Sequence, residues 1–156
     1  MFSCTRRLEF DAAHRLVAHE GKCANVHGHR YVVDVTCEAK ALDTVGRVID
    51  FSVIKEVFGS WIDTHLDHTI ILNSSDTKLI ELCNSVNKNP VYVVLFDPSA
   101  EYLAHHLLKI ANDLLFDLHV RVTHLRLYET PNGWADADQR SLFFVLKPRE
   151  GSCLSP

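Results

Sequence analysis

The sequence predicts an α+β fold, an antiparallel sheet carrying helices on one face. Three observations lead there. Stretches at 2–10, 31–39 and 120–130 place β-branched and aromatic residues in partial alternation, the period of a strand with one buried face. Two others, at 51–62 and 103–118, space their apolar residues at helical intervals. The elements run strand, strand, helix, insertion, helix, strand, strand, and strands grouped this way favour an antiparallel sheet over βαβ units.

Along the chain, Phe2 to Phe10 and Tyr31 to Ala39 read as two strands joined by the polar stretch 15–27. Asp50 precedes Phe51, Ile54, Phe58, Trp61 and Ile62, an aspartate N-cap before an amphipathic helix that should stop ahead of Leu66-Asp67-His68. Residues 73–96 read as an insertion, with a short helix from Thr77 to Val86 between polar turns and a short strand from Val91 to Phe96. Asp97-Pro98 opens a second helix with proline in its first turn, with Leu103, Leu107, Ile110, Leu114 and Leu118 on one face. Val120 to Thr130 reads as a strand, Pro131-Asn132-Gly133 as a turn, and Trp134 to Lys147 as the region of the hairpin partner. We expect one domain over 1–148 and a flexible tail over 149–156.

The 156 residues are 47% hydrophobic and 23% charged, enough apolar material for an ordinary core. The formal charge of -4 disfavours a nucleic-acid partner. Met1 to Arg7 lacks the layout of a secretory signal, and the longest aliphatic-aromatic run, Val91 to Phe96, is far too short for a membrane span. Five cysteines (Cys4, Cys23, Cys37, Cys83, Cys153) contain no CxxC pair, which argues against a disulfide framework and suits a reducing, cytoplasmic setting.

The chemistry concentrates in sixteen residues holding His14, Cys23, His27 and His29. Residues i and i+2 of a strand share a face, so His27 and His29 can grip one ion. His14, from the end of a neighbouring strand, would complete three-nitrogen coordination and leave a fourth tetrahedral position open, the mark of catalytic zinc. Taken singly each histidine is more often a solvated or hydrogen-bonded residue; the spacing raises the metal reading. His65, His105, His106, His119 and His124 lack such spacing and read as helix surface or solvated strand ends. Cys23 alone would be a small buried hydrophobe, but its polar surroundings favour a partly exposed thiol able to act as a base. Asp67-His68 reads either as a helix cap and turn or as an acid tuning a proton-transfer histidine. Glu129 would ordinarily face solvent; turned inward, its carboxylate can accept two parallel hydrogen bonds from an amidine-like edge such as a pterin's. Glu101 reads as a first-turn residue complementing the helix dipole. Arg15, Lys22 and Arg30 lie near the metal segment and are read as solvated.

In order along the chain, Phe10-Asp11-Ala12-Ala13-His14-Arg15-Leu16, Cys23-x3-His27-Gly28-His29, Gly46-Arg47-Val48-Ile49-Asp50-Phe51, Leu66-Asp67-His68, Asp97-Pro98-Ser99-Ala100-Glu101 and Tyr128-Glu129-Thr130 make this sequence resemble the 6-pyruvoyl-tetrahydropterin and 6-carboxy-tetrahydropterin synthase family. The resemblance implies a tunnelling fold, in which each subunit contributes a four-stranded antiparallel sheet with two helices, and subunits join edge to edge into a barrel, commonly a homohexamer of two trimers with active sites at subunit interfaces. It implies His14, His27 and His29 as ligands of Zn2+, Cys23 as the proton-abstracting residue with Asp67 and His68 as its relay, Glu129 as the pterin anchor and Glu101 as a nearby positioning residue. The implied substrate is 7,8-dihydroneopterin triphosphate. The three-residue gap between Cys23 and His27 resembles the carboxy branch, a carbon-carbon lyase that releases acetaldehyde and triphosphate and supplies queuosine and 7-deazapurine synthesis. The pyruvoyl branch, with a longer gap, eliminates triphosphate alone. Ser99 stands where the family often has threonine, and 73–96 is longer than in compact members. A reading of another class is a structural zinc module in which Cys23 closes the tetrahedron; such a module would not need Asp67, His68 or Glu129.

Overall fold

The computed structural model describes residues 1–141. Its elements are β1 (Phe2–His14), β2 (His27–Ala39), α1 (Phe51–Ile54), α2 (Ser60–His65), β3 (Thr69–Asn73), α3 (Thr77–Val86), β4 (Tyr92–Val94), α4 (Ala100–Leu115), β5 (Arg121–Thr130) and β6 (Gly133–Asp138). The strands form one sheet in the order β4-β3-β1-β2-β5-β6. The expected antiparallel block is its centre and one side, β1-β2-β5-β6. Among the described residues the expected count of four is corrected to six: β3 joins β1 in parallel through Ala12 to His14, and β4 runs parallel to β3. β3, Thr69-Ile70-Ile71-Leu72-Asn73, is a short continuous apolar run without alternation, so the period that marks a half-buried strand is absent from it.

β1 and β2 pair without a slip from Phe2 opposite Ala39 to His14 opposite His27. Because the side-chain period is two, this register puts Leu8, Phe10, Ala12 and His14 on the same face as Tyr31, Val33, Val35 and Cys37, all buried. Over that face lie Ile54, Phe58 and Ile62 of the segment 51–65, and α4. Asp50 caps α1 by accepting from the Ser52 N–H, as expected. Between α1 and α2 the backbone widens into a π turn over Lys55–Gly59, which sends Phe58 inward and brings Gly59 against Leu8.

In α4 the N-cap is Ser99, whose hydroxyl accepts from the Tyr102 N–H, so Pro98 stands outside the helix rather than in its first turn. Its buried stripe is Leu103, Ala104, Leu107, Leu108, Ala111 and Leu115. Leu114 and Leu118, expected inward, are exposed, because a stripe of 3.6-residue period that includes Leu107 and Ala111 continues at Leu115. α3 and β4 realise the helix and strand expected within 73–96, and β4 forms one edge of the sheet.

β5 and β6 make the expected hairpin, but β6 stops at Asp138, earlier than the region to Lys147 suggested. Its carboxylate accepts from the Arg140 and Ser141 N–H groups and turns the chain. Residues 142–147 and the tail expected after Pro148, including 149–156, lie outside the described residues. Among the described residues no helix is long and apolar enough to cross a membrane.

Candidate active site

The open end of the β1-β2 ladder gathers three imidazoles. His14 sits across from His27, and His29 follows two residues along on the same face, with ring centroids 4.5, 5.2 and 5.0 Å apart. One nitrogen of each lies within 4.8 Å of the other two. Gly28, between the two β2 histidines, relieves a tight approach, since a Cβ there would come 3.1 Å from the Ala12 carbonyl oxygen. His14 Nδ1 donates to the Pro98 carbonyl at 2.8 Å, and His27 Nδ1 donates to that of Asn25 at 2.8 Å. A carbonyl can only accept, so both rings carry a proton on Nδ1, which leaves Nε2 as the atom free to bind a ligand in the neutral ring.

His14 Nε2 and His29 Nε2 are buried and have no hydrogen-bond partner. Burial first, then the neighbouring His27 and His29, push His14 down to about 4 against the opposing Pro98 hydrogen bond, and burial with His27 lowers His29. Three imidazole nitrogens this close, two of the rings with a buried and unpartnered Nε2, form a donor set that fits a divalent ion such as zinc, which would satisfy the orphaned atoms.

Glu129 is turned inward. β5 carries a bulge between Tyr128 and Thr130, and Glu129 Oε1 lies 3.8 Å from His14 Nε2. Burial, then the charge of Glu101 at the start of α4, raises its carboxyl above the ordinary range, with His27 opposing. Glu101 itself is exposed. Beneath the histidines Tyr31 is fully buried, stacked on Phe10 and edge-on to His14 and His29, with its hydroxyl unpartnered.

Cys23 is half-buried on a 3-10 turn, Lys22–Ala24, ahead of β2. Its loop is held by the Leu16 N–H on the Cys23 carbonyl and the Ala18 N–H on Asp97. Its sulfur is not in the converging donor group, which consists of His14, His27 and His29. Asp67 and His68 form a second unit at Asp11 of β1. Asp67 accepts from the Asp11 N–H at 2.9 Å and from His68 Nδ1 at 2.7 Å. Burial works against the Asp67 charge, but these bonds and the charges of His68 and Arg30 outweigh it and hold the carboxyl below its ordinary range. His68 takes a left-handed backbone, φ 58°, and its side chain is 75% exposed.

The structure thus brings His14, His27, His29 and Glu129 together and sets Asp67 against His68. The sequence reading missed the carbonyls of Asn25 and Pro98 that orient His27 and His14, and Tyr31 below them. Backbone acceptors leave no side-chain signal, whereas Tyr31 was legible as the next inward residue after His27 and His29. Arg15, read as solvated, makes a two-pronged pair with the buried Asp76, and Arg30 pairs with Asp11 and Glu9. His106, read as surface, is half-buried and bonded to the Tyr92 hydroxyl, and His65 stacks on Trp61.

Comparison with known proteins identifies the family. The model of the family described as 6-pyruvoyl tetrahydropterin synthase matches residues 3–140. A protein of Rickettsia bellii named 6-carboxy-5,6,7,8-tetrahydropterin synthase is 41% identical over 133 residues, 85% of this chain and 96% of its own. One of the same name from Haemophilus influenzae is 30% identical over 141 residues, covering 87% and 98%. Among solved structures, an uncharacterized Wolinella succinogenes protein superposes with a TM-score of 0.75 at 23% identity, covering 88% of this chain and 98% of that one. The Caenorhabditis elegans 6-pyruvoyl tetrahydropterin synthase gives 0.62 at 23%, covering 88% and 94%. At that identity the structural likeness speaks for the fold alone. With its family model, relatives and fold in agreement, the chain belongs to the 6-pyruvoyl tetrahydropterin synthase family and is a lyase of the tetrahydropterin synthase type.

Proposed function

We propose that the protein is a zinc-dependent 6-carboxy-5,6,7,8-tetrahydropterin synthase, converting 7,8-dihydroneopterin triphosphate to the carboxy product with release of acetaldehyde and triphosphate, a step toward 7-deazapurines such as queuosine. The observation that carries the reading is the convergence of three imidazoles, two with orphaned Nε2 atoms, beside the inward carboxylate of Glu129. The carboxy branch is supported by the name of relatives 41% identical over most of the chain and by the short Cys23 to His27 gap.

His14, His27 and His29 would hold the zinc, which when bound supplies Lewis-acid stabilisation to charge developing on the substrate's side-chain oxygens. Glu129 would anchor the pterin by accepting two N–H groups of its amidine-like edge, with Glu101 at the rim. Cys23, on the loop ahead of the ligands, would remove the side-chain proton. His68, its Nδ1 bound to Asp67, keeps Nε2 available to pass that proton on. With its side chain 75% exposed, His68 is suited to a site shared between subunits. A homohexamer of two trimers agrees with the sheet edges at β4 and β6, which oligomerisation would cover.

The test is to incubate the zinc-loaded protein with dihydroneopterin triphosphate and identify the small products. Acetaldehyde with a 6-carboxypterin supports the proposal; triphosphate release with a 6-pyruvoyl product and no acetaldehyde moves the protein to the other branch.

A further inference from the structure

The far end of the same ladder pairs two cysteines. Cys4 of β1 and Cys37 of β2 are direct cross-strand partners. Both lie on the inward face, at even positions with Leu8 and Phe10 on β1 and odd positions with Tyr31, Val33 and Val35 on β2. Residues directly opposite in an antiparallel pair hold their Cβ atoms about 4.5 to 5.5 Å apart, and a disulfide asks for about 3.5 to 4.5 Å, so a small side-chain and backbone adjustment spans the difference. The thiols are close enough that a charge on Cys4 opposes one on Cys37.

Their access differs. Cys37 is fully buried in the core. Cys4 is half-buried and lines a groove of about 400 Å³ together with Phe2, Leu42, Arg47, Ile49 and Phe51. Burial holds the Cys4 thiol above its ordinary value, and a hydrogen bond with the Ile49 backbone offsets only part of that rise. One thiol therefore faces an opening wide enough for a small oxidant, and the second stands directly behind it.

We propose that Cys4 and Cys37 form an oxidation site in which a small peroxide entering this groove converts the pair to a cross-strand disulfide. The Cys4 sulfur attacks one oxygen of hydrogen peroxide, the O–O bond breaks as the S–O bond of a sulfenic acid forms, and the other oxygen leaves as water with the thiol proton. The Cys37 sulfur then attacks the Cys4 sulfur, the S–O bond breaks, and the hydroxyl leaves as a second water with the Cys37 proton. Two thiols lose two electrons to the peroxide in all. The bond would close a loop containing Cys23 and all three site histidines, restraining the β1-β2 unit in the unfolded chain and so raising its melting temperature.

The reduced full chain, carrying Cys23→Ala so that the loop thiol cannot intervene, is treated with hydrogen peroxide. It is then quenched with a thiol-alkylating reagent under denaturing conditions and mapped by non-reducing peptide mass analysis. The expected result is a linked pair of peptides containing Cys4 and Cys37, lost on dithiothreitol, with a melting temperature several degrees higher before reduction. Cys4→Ser in the same background should yield no linked pair and leave Cys37 open to alkylation after denaturation. Cys4 carried to sulfinic or sulfonic acid beside an intact Cys37, a bond from Cys4 to another chain, or two thiols left unoxidised would each overturn the proposal.

Discussion

Replacing Glu129 with glutamine changes one oxygen for an amide nitrogen and tests whether this carboxylate is a ligand anchor. The side chain lies 3.8 Å from His14 Nε2, is 28% exposed, and bears a charge that burial and Glu101 both disfavour. A charge-assisted hydrogen bond contributes about 1.5 to 3 kcal/mol, and partial exposure places this one in the lower half, about 2 kcal/mol or roughly 30-fold in affinity. Removing a destabilised charge should leave the melting temperature unchanged or slightly raised, which separates a binding defect from a folding defect. The assay is fluorescence titration with a dihydropterin, alongside KM for the triphosphate substrate and the zinc content of the variant. An affinity within twofold of the parent protein, with zinc retained, would refute the reasoning and return Glu129 to a structural role.

Three further outcomes follow from the same geometry. Cys23→Ala should keep the zinc, since its sulfur lies outside the converging donors, while turnover falls by at least a hundredfold; loss of the metal, measured by elemental analysis, would favour the closed structural site instead. The Asp67 carboxyl is held below its unfolded value, so its contribution to stability is present above about pH 4 and is lost as pH falls toward the folded value. Urea unfolding should therefore find Asp67→Asn less stable than the parent at pH 7, with the gap narrowing as pH falls below about 4, and a gap that keeps its full size in acid contradicts the assignment. Leu107→Ala, at a site 1% exposed in the α4 stripe, should cost about 3 kcal/mol in chemical denaturation, whereas the exposed Leu114→Ala should cost well under 1 kcal/mol.

The parts legible in the sequence were those whose signal is periodic or local. The alternation in β1 and β2, the Asp50 cap and the stop before Leu66 each arise from forces within a few residues, and each is present in the fold. The histidine trio was legible because a strand fixes which residues share a face, and the register then brought His14 across from His27. What escaped depends on distant partners. β3 has no alternation and becomes a strand by pairing with β1 across more than fifty residues of chain, and the π turn at Lys55–Gly59 answers the packing of Phe58 and Gly59 on the sheet. Leu114 failed as a core residue because apolar identity alone does not fix the angle at which a helix meets a sheet. The orienting carbonyls of Asn25 and Pro98 are backbone groups, which any residue type would have carried.

The proposed three-nitrogen site would keep sulfur off the metal, and X-ray absorption fine structure of the zinc-loaded protein tests this. Nitrogen and oxygen scatterers at about 2.0 to 2.1 Å with imidazole outer shells are expected, unchanged in Cys23→Ala. A sulfur scatterer near 2.3 Å that vanishes in that variant would contradict it.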